Sequence, residues 1–475
     1  MHIFRSFHLK FLSLLVVILP IAPGATADDA DKGQIAFPGA IGYGKYANGW
    51  RGGSVYYVTT LADSGRGSLR ECVQHPGVGR VCVFAVSGTI VVDKQLRVSP
   101  NTYIAGQTAP GQGIQLRVGN VQSSPLMVYD SHNVLLRFMK FRPGPSKKPS
   151  PSVDGLGIES STDVYVDQVS VAFGVDENLG IGSERYASHD ITIANTILAY
   201  GLDKSSHTER RHSKGALICS KDGAVSDCGR ITLTGNLFAH NRDRNPDVSS
   251  TALGPVDIVN NVFYDASSQF GEFRNLYGDT WINYVGNVIL PGPSTRNRPR
   301  PAAIEVFPVE PNNKLEVFAD DNLYLDNRLD ILCDRSKQGR VVDVAARPNV
   351  VSNPAFPLSV TPEPVSGVLE HVLSNVGARS GPDRELDSLD LSIIENVRGC
   401  DGQRIDHPDE AGGWPDLPEV SALNDRDLDG LPDDWEEARE GLDPDDRSDG
   451  WKDRDGDGWS NLEEYLSVLA GDPLP

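Results

Sequence analysis

Arg242 and Arg244 flank Asp243 in AHNRDRNPDV (239–248), immediately after an apolar strand-like stretch. Upstream stand acids in turn-like settings: Asp154 in PSVDGLGI, Asp167 in VYVDQ, and Asp176 with Glu177 in FGVDENLGI. Lys214, in RHSKGALI, lies between the acids and the arginines. Carboxylates brought together can hold a hard divalent cation such as calcium, which takes roughly six to eight oxygen ligands. Such a cation beside lysine and arginine can capture an anionic sugar polymer. That chemistry needs a scaffold able to gather residues from 154 to 244 onto one face.

The repeats describe one. NVLLRFMKFR from Asn133, DVYVDQVSVA from Asp163, DITIANTILAY from Asp190, RITLTGNLFAH from Arg230, VDIVNNVFYD from Val256 and WINYVGNVIL from Trp281 share a rhythm. Each is a short alternating strand, a polar turn residue and a second apolar pair. Successive starts differ by 30, 27, 40, 26 and 25 residues, and a β-patterned period of that size indicates a solenoid. The expected fold is all-β: a right-handed parallel β-helix, each coil adding two or three short strands. A β-sandwich would instead show hairpin turns about every 8–12 residues. Neighbouring coils lie ~4.8 Å apart. Asp154 and Asp176, 22 apart, and Lys214 and Arg244, 30 apart, can therefore stack on consecutive coils. Coil asparagines such as Asn195, Asn236 and Asn261 suit bends, where Asn tolerates left-handed backbone, and are expected to stack in a ladder. Asp167, inside a strand pattern, reads as structural. His207 and His212 read as lining the polar excursion within the longest interval. Ser68 in DSGRGSLRECVQH is placed to open a short helix that covers an open strand edge.

Composition sets the compartment and the partners. Arg5 and Lys10 precede an apolar run from Phe11 to Ala22, and Ala25-Thr26-Ala27 has a cleavage-site pattern. Residues 1–27 thus read as a secretory signal peptide, which implies an exported protein, and no later run is long enough for a membrane helix. Six cysteines suit an oxidising compartment. Pairing of near neighbours would join Cys72 to Cys82, Cys219 to Cys228 and Cys333 to Cys400, one of several possible connectivities. The formal net charge is −21, and residues 421–475 carry 18 acids against 5 Lys/Arg. Nothing resembles the basic face of a nucleic-acid binder.

The acidic tail has its own pattern. DRDLDGLPDDWE (425–436) and DRDGDGWSNLEE (453–464) both match D-x-D-x-D-G-x5-E. This spacing wraps oxygens around one calcium, with glycine allowing the sharp turn. The expected ligands are Asp425, Asp427, Asp429, Asp433 and Glu436 in the first loop. Asp453, Asp455, Asp457 and Glu464 serve in the second. Neither loop has an obvious helix before it, so the segment resembles the half EF-hands of dockerin or thrombospondin type 3 modules, with a role in stabilisation or attachment. The organisation expected is a β-helix domain over 28–407, a linker over 408–424 and this calcium module over 425–475.

Several stretches together resemble the pectate lyases of polysaccharide lyase family 1: AFPGAIGYGKYANGWRGGSVYYVTTLADSGRGSLREC, IAGQTAPGQGI, VDGLGI, VDQVSVAFGVDENLGI and NLFAHNRDRNP. The resemblance covers Ile35 to Ser268 well and the next 130 residues or so loosely. It implies the β-helix already argued from the repeats, and calcium-dependent eliminative cleavage of polygalacturonate. It makes Arg244, in Arg244-Asn245-Pro246, the base that removes a proton; Lys214 binds substrate and assists, with Arg242 beside it. Asp154 and Asp176 become calcium ligands. The family's second acid, four residues beyond Asp176, falls on Gly180, so Glu177 is the candidate substitute. A further family arginine falls on Ser249, and Arg242 is the candidate to compensate. Two other readings remain: a β-helix glycoside hydrolase using Asp176 and Glu177 as acid and base, or a non-catalytic carbohydrate-binding adhesin.

Overall fold

The computed structural model describes residues 33–220, 227–295, 301–307, 310–326, 337–379, 384–421 and 424–473. The expected signal segment and Cys333 lie outside them. The repeats wind into a parallel β-helix of three sheets with 11, 8 and 10 strands. Every pairing between named strands is parallel except that of Leu323–Asp326 with Lys337–Gln338. A sandwich built on hairpins is excluded.

Register follows the sequence period. In the 11-stranded sheet Val134 pairs with Val164, Val164 with Ile191, Ile191 with Ile231, Ile231 with Val256, and Val256 with Ile282. Alternation then points one row inward. Ile104, Leu136, Val166, Ile193, Leu233 and Ile258 stack as a fully buried column. A second column, Phe141, Val171, Leu198, Phe238, Phe263 and Ile289, descends the 10-stranded sheet. The long interval is an excursion that returns as strand Lys214–Ser220. Lys214 therefore opens a strand of the 8-stranded sheet and is not adrift in a polar loop.

Bends repeat as faithfully as strands. Asn101, Asn133, Asp163, Asp190 and Arg230 all adopt left-handed backbone where the chain enters the 11-stranded sheet. One turn further on, Asn236 Nδ2 donates to Asn261 Oδ1 (3.0 Å). Asn261 continues to Asn287 (3.1 Å), and Asn287 to Asn322 (3.1 Å). Asn195 is not part of this ladder. It occupies the preceding bend position at φ 48° and donates to Asp167 Oδ1 (2.9 Å). Asp167 in turn pairs with the buried Arg137 (2.6 Å), so its structural reading holds.

The ends and outer faces explain where a site can be. Ser68 caps a short helix, Leu69–Val73, tied down by the Cys72–Cys82 disulfide. Cys219 bonds Cys228, and Cys400 is also disulfide-bonded. Helices Val365–Asn375 and Ser388–Gly399, which the strand rhythm did not foretell, bury Val368, Val372, Ile393 and Val397 against the 10-stranded sheet. A buried network anchors the second of them, with Arg142 pairing Asp387 (2.8 Å) and Asp390 (2.7 Å). The 11-stranded sheet is covered by the N-terminal stretch, through Gly44 N to Thr192 Oγ1 (2.9 Å). Ser359, bonded to Asp257 (2.6 Å), and the tail cover more of it. Of the stretch 408–424, read as a linker, the described residues 408–421 lie along the coil: Trp414 Nε1 donates to Arg142 O (2.9 Å), and Val420 N to Ser87 Oγ (3.0 Å). The outer face of the 8-stranded sheet stays open at a cleft lined by its own strands.

Candidate active site

A cleft of about 540 Å³ lies on that open face, lined in part by Asp154, Asp176, Glu177, Gly180 and Arg244. Asp154 stands just before strand Leu156–Glu159, and Glu177 begins strand Glu177–Gly182. Register sets Glu177 beside Lys214 on the next coil, and Lys214 beside Asp243 on the one after. Residues scattered over 90 positions thus form one row because successive coils present equivalent positions side by side.

Three carboxylates converge: ligand oxygens of Asp154, Asp176 and Glu177 all lie within 4.8 Å of one another. Asp154 is oriented by Ser124 Oγ (3.2 Å) and by the Glu177 backbone N–H (3.2 Å). A Cβ placed on Gly180 would come within 3.4 Å of Asp154 Oδ2. Position 180 thus borders the cluster, but the third carboxylate is delivered from 177 instead. Burial, with Asp154 close by, pushes the Asp176 carboxyl up to about 7. Burial and then Asp176 push Glu177 up to about 8. Carboxyls raised this far gain from a bound cation, and the three carboxylates offer oxygens that fit calcium, while His207 and His212 border the same Asp176 with nitrogen donors.

The cations lie on one side of that cluster. Arg244 donates from Nη1 to Glu177 Oε1, and its backbone N–H is fixed by Glu272 Oε1 (2.9 Å). Burial opposes the charge on Arg244, but Glu177, Asp247, Asp243 and Glu272 outweigh it and hold the guanidinium above its usual value. Glu177 therefore has two claimants, the guanidinium and any cation the carboxylates gather. Lys214 Nζ pairs with Asp243 Oδ1 (2.6 Å). Arg242 Nε lies 3.6 Å from Asp243 Oδ2 with its side chain about 31% exposed.

Sequence reasoning passed over several neighbours. His212 Nε2 sits 2.6 Å from Asp176 Oδ1 and stacks on His207, ring centroids 3.6 Å apart, so both contact the cluster instead of merely lining a loop. Burial pushes each imidazole down to about 4, followed for His207 by His212 and for His212 by Lys214. Arg274, from the next coil, pairs with Asp247 (3.1 Å) and Glu272 (3.0 Å). Its spacing of 30 from Arg244 was the signal that could have found it. Arg97 lies over the ring of Tyr129 (4.4 Å) at the other end of the cleft. Ser249 is buried in the coil and offers no charge.

The tail brings together only part of its expected set. Asp425, Asp427 and Asp429 converge in the first loop, and Asp453, Asp455 and Asp457 in the second. Both first aspartates accept two backbone N–H bonds, Asp425 from Leu428 and Gly430 and Asp453 from Gly456 and Gly458. Gly430 (φ 106°) and Gly458 (φ 97°) take the conformation these turns require. Asp433 points elsewhere: it accepts from Arg426 N (2.9 Å) and pairs with Arg426 Nε (3.1 Å). Glu464 lies 3.8 Å from Arg454. Glu436 meets Asp429 and a residue outside both loops, Asp449.

Comparison with known proteins agrees with this geometry. No family model matches the chain. A protein of Aspergillus flavus named probable pectate lyase C is 32% identical over 442 residues, 92% of this chain and 94% of that one. Its namesake in Emericella nidulans is 33% identical, covering 91% of each. Among solved structures, the major allergen from cedar pollen superposes with a TM-score of 0.53 at 15% identity, over 71% of this chain and 92% of that one. A thermostable pectate lyase does so with 0.51 at 16%, over 71% and 97%. A parallel β-helix with an open acidic and basic cleft, and relatives of this extent, define a polysaccharide lyase. The chain belongs to the pectate lyase family.

Proposed function

We propose that the protein is an exported, calcium-dependent lyase that cleaves polygalacturonate by β-elimination to unsaturated oligogalacturonides. The observation that carries this reading is the meeting of Asp154, Asp176 and Glu177 with Arg244 in one open cleft, with Lys214 beside Glu177 on the next coil. Asp154, Asp176 and Glu177 would hold calcium, which when bound supplies positive charge beside the uronate carboxylate and acidifies C5–H. Arg244, in its neutral form, takes the C5 proton, the electron pair becomes the C4–C5 double bond, and the C4–O bond breaks, its oxygen gaining a proton from water. Arginine is an unusual base, with an ordinary pKa above about 12. The carboxylates beside it favour its charged form, so the neutral base would arise only as those carboxylates turn from the guanidinium to bound calcium. Lys214 and Arg242 hold further uronates. The paired Arg97 and Tyr129 extend the contact surface, as a polymer needs. The two tail loops hold calcium too, apart from the chemistry.

A glycosidase would need two carboxyls ~5–9.5 Å apart across the bond it cuts. Asp176 and Glu177 instead sit side by side with Arg244 drawn onto one of them. Incubation with polygalacturonate and calcium should yield product absorbing in the ultraviolet, and chelator should abolish it. Shortened but non-absorbing product would indicate hydrolysis, and bound, unshortened polymer would indicate an adhesin.

A further inference from the structure

The first tail loop is incomplete as its motif is written, because Asp433, its ninth position, is committed to Arg426. The structure replaces it from outside. Ligand oxygens of Asp429, Glu436 and Asp449 lie within 4.8 Å of one another. These residues are 3%, 0% and 2% exposed. Each aspartate is aimed by one backbone N–H: Leu431 N to Asp429 Oδ1 (2.9 Å) and Asp443 N to Asp449 Oδ2 (2.9 Å). The oxygens left over, Asp429 Oδ2, Asp449 Oδ1 and both of Glu436, are buried without a hydrogen-bond donor, as is Asp427 Oδ2 at the rim.

Buried carboxylate oxygens without donors are costly unless a cation meets them. Among the described residues no lysine or arginine pairs with these three: Arg426 serves Asp433, Lys452 serves Asp446 and Arg454 serves Glu464. Burial, then Asp429 and other nearby acids, pushes Glu436 up to about 8. The space is also shaped. A Cβ on Gly450, next to Asp449, would lie 2.4 Å from Asp429 Oδ2, so only glycine admits this approach.

Asp449 belongs to the span that joins the two loops, and that span is tied to both the second loop and the coil. Its carbonyl accepts from Asn461 Nδ2 (2.7 Å), and Gly450 O accepts from Leu462 N (2.8 Å). Trp451 Nε1 donates to Gly53 O (3.1 Å), beside the first strand, Ser54–Val58. On the other side of the cluster, the Tyr57 hydroxyl of that strand bonds Asp425. Leu431, Leu462 and Leu466 are buried with Trp50, Val81 and Tyr103 of the coil.

We propose that Asp429, Glu436 and Asp449, with Asp427 at the rim, bind a calcium ion that clamps the tail onto the first coil. Asp449 takes the place that the motif assigns to Asp433. The inference rests on the tail loops taking calcium, goes beyond them in ligand and role, and is independent of the cleft.

The test counts calcium bound to the full chain by equilibrium dialysis and follows release of the tail by limited proteolysis. Asp449→Asn and Glu436→Gln should each lose one ion and expose the tail to cleavage at calcium concentrations that protect the parent. Asp433→Asn should keep the full count. Unchanged counts in both Asp449→Asn and Glu436→Gln, or loss of an ion in Asp433→Asn alone, would overturn the clamp. If Asp455→Asn in the second loop still loses an ion while those two do not, the loops bind calcium but Asp449 does not contribute. If no tail variant loses one, the calcium reading of the tail fails as well. Should Asp449→Asn not fold, the isosteric Glu436→Gln carries the comparison.

Discussion

The cleft and the tail each gather three carboxylates within 4.8 Å, yet they solve the crowding differently. In the cleft, Arg244 reaches Glu177, so part of the negative charge already has a partner from the chain. In the tail, Asp429, Glu436 and Asp449 have only each other and a few backbone N–H groups. A site whose own cation competes for its ligands suits exchange with substrate. A site without one suits a resident ion that is part of the fold.

The largest effect that separates the two should come from Arg244→Ala. Removal of a general base lowers turnover by about 10²–10⁴-fold, while the thermal transition should hardly move. Retention of most turnover would reduce Arg244 to a substrate clamp. Chelation should act on both regions, abolishing product absorbance and lowering stability. An ion at 100 times its dissociation constant contributes about 2.7 kcal/mol, a loss readable by calorimetry. Asp449→Asn should reproduce the stability loss and Asp176→Asn the activity loss; the reverse pattern would undo the contrast.

Proton linkage supplies a third separation. Without calcium, the folded carboxyls near 7 and 8, Asp176 and Glu177 in the cleft and Asp429 and Glu436 in the tail, keep protons that the unfolded chain gives up near 4. The folded state then binds more protons, so stability should fall as pH rises from about 4 to 8. Saturating calcium should flatten that slope. Melting curves across pH, with and without chelator, would show it; Glu436→Gln should remove only the tail's share. The smallest functional effect should belong to Arg242→Ala, a partly exposed residue. Loss of about 1.5 kcal/mol of charge-assisted bonding would raise KM roughly tenfold, with kcat unchanged.

Much of the scaffold was legible in the residues. The 25–40-residue rhythm carries the coil, because inward rows must be apolar on every turn and the bend residues must accept left-handed backbone. The pairing of Cys72 with Cys82 and the Ser68 cap were visible for the same local reason. Helices Val365–Asn375 and Ser388–Gly399 escaped notice because a rhythm tuned to strands is blind to a 3.6-residue stripe. The acids at 154 and 176–177 and the arginine at 244 were also in view as residue types at coil spacing, while the role of Arg244 as base came from the family resemblance.

What only the tertiary structure decided is which charges meet. Arg274 meets Asp247 from the next coil, His212 comes up to Asp176 from the excursion, and Asp449 enters the tail cluster from between two motifs. Sequence by itself determines periodic burial, since each residue's inward or outward sense follows from strand alternation. Ion pairs and ion sites depend on distances of a few ångströms between segments far apart in the chain, and those distances exist only once coils, excursion and tail have packed.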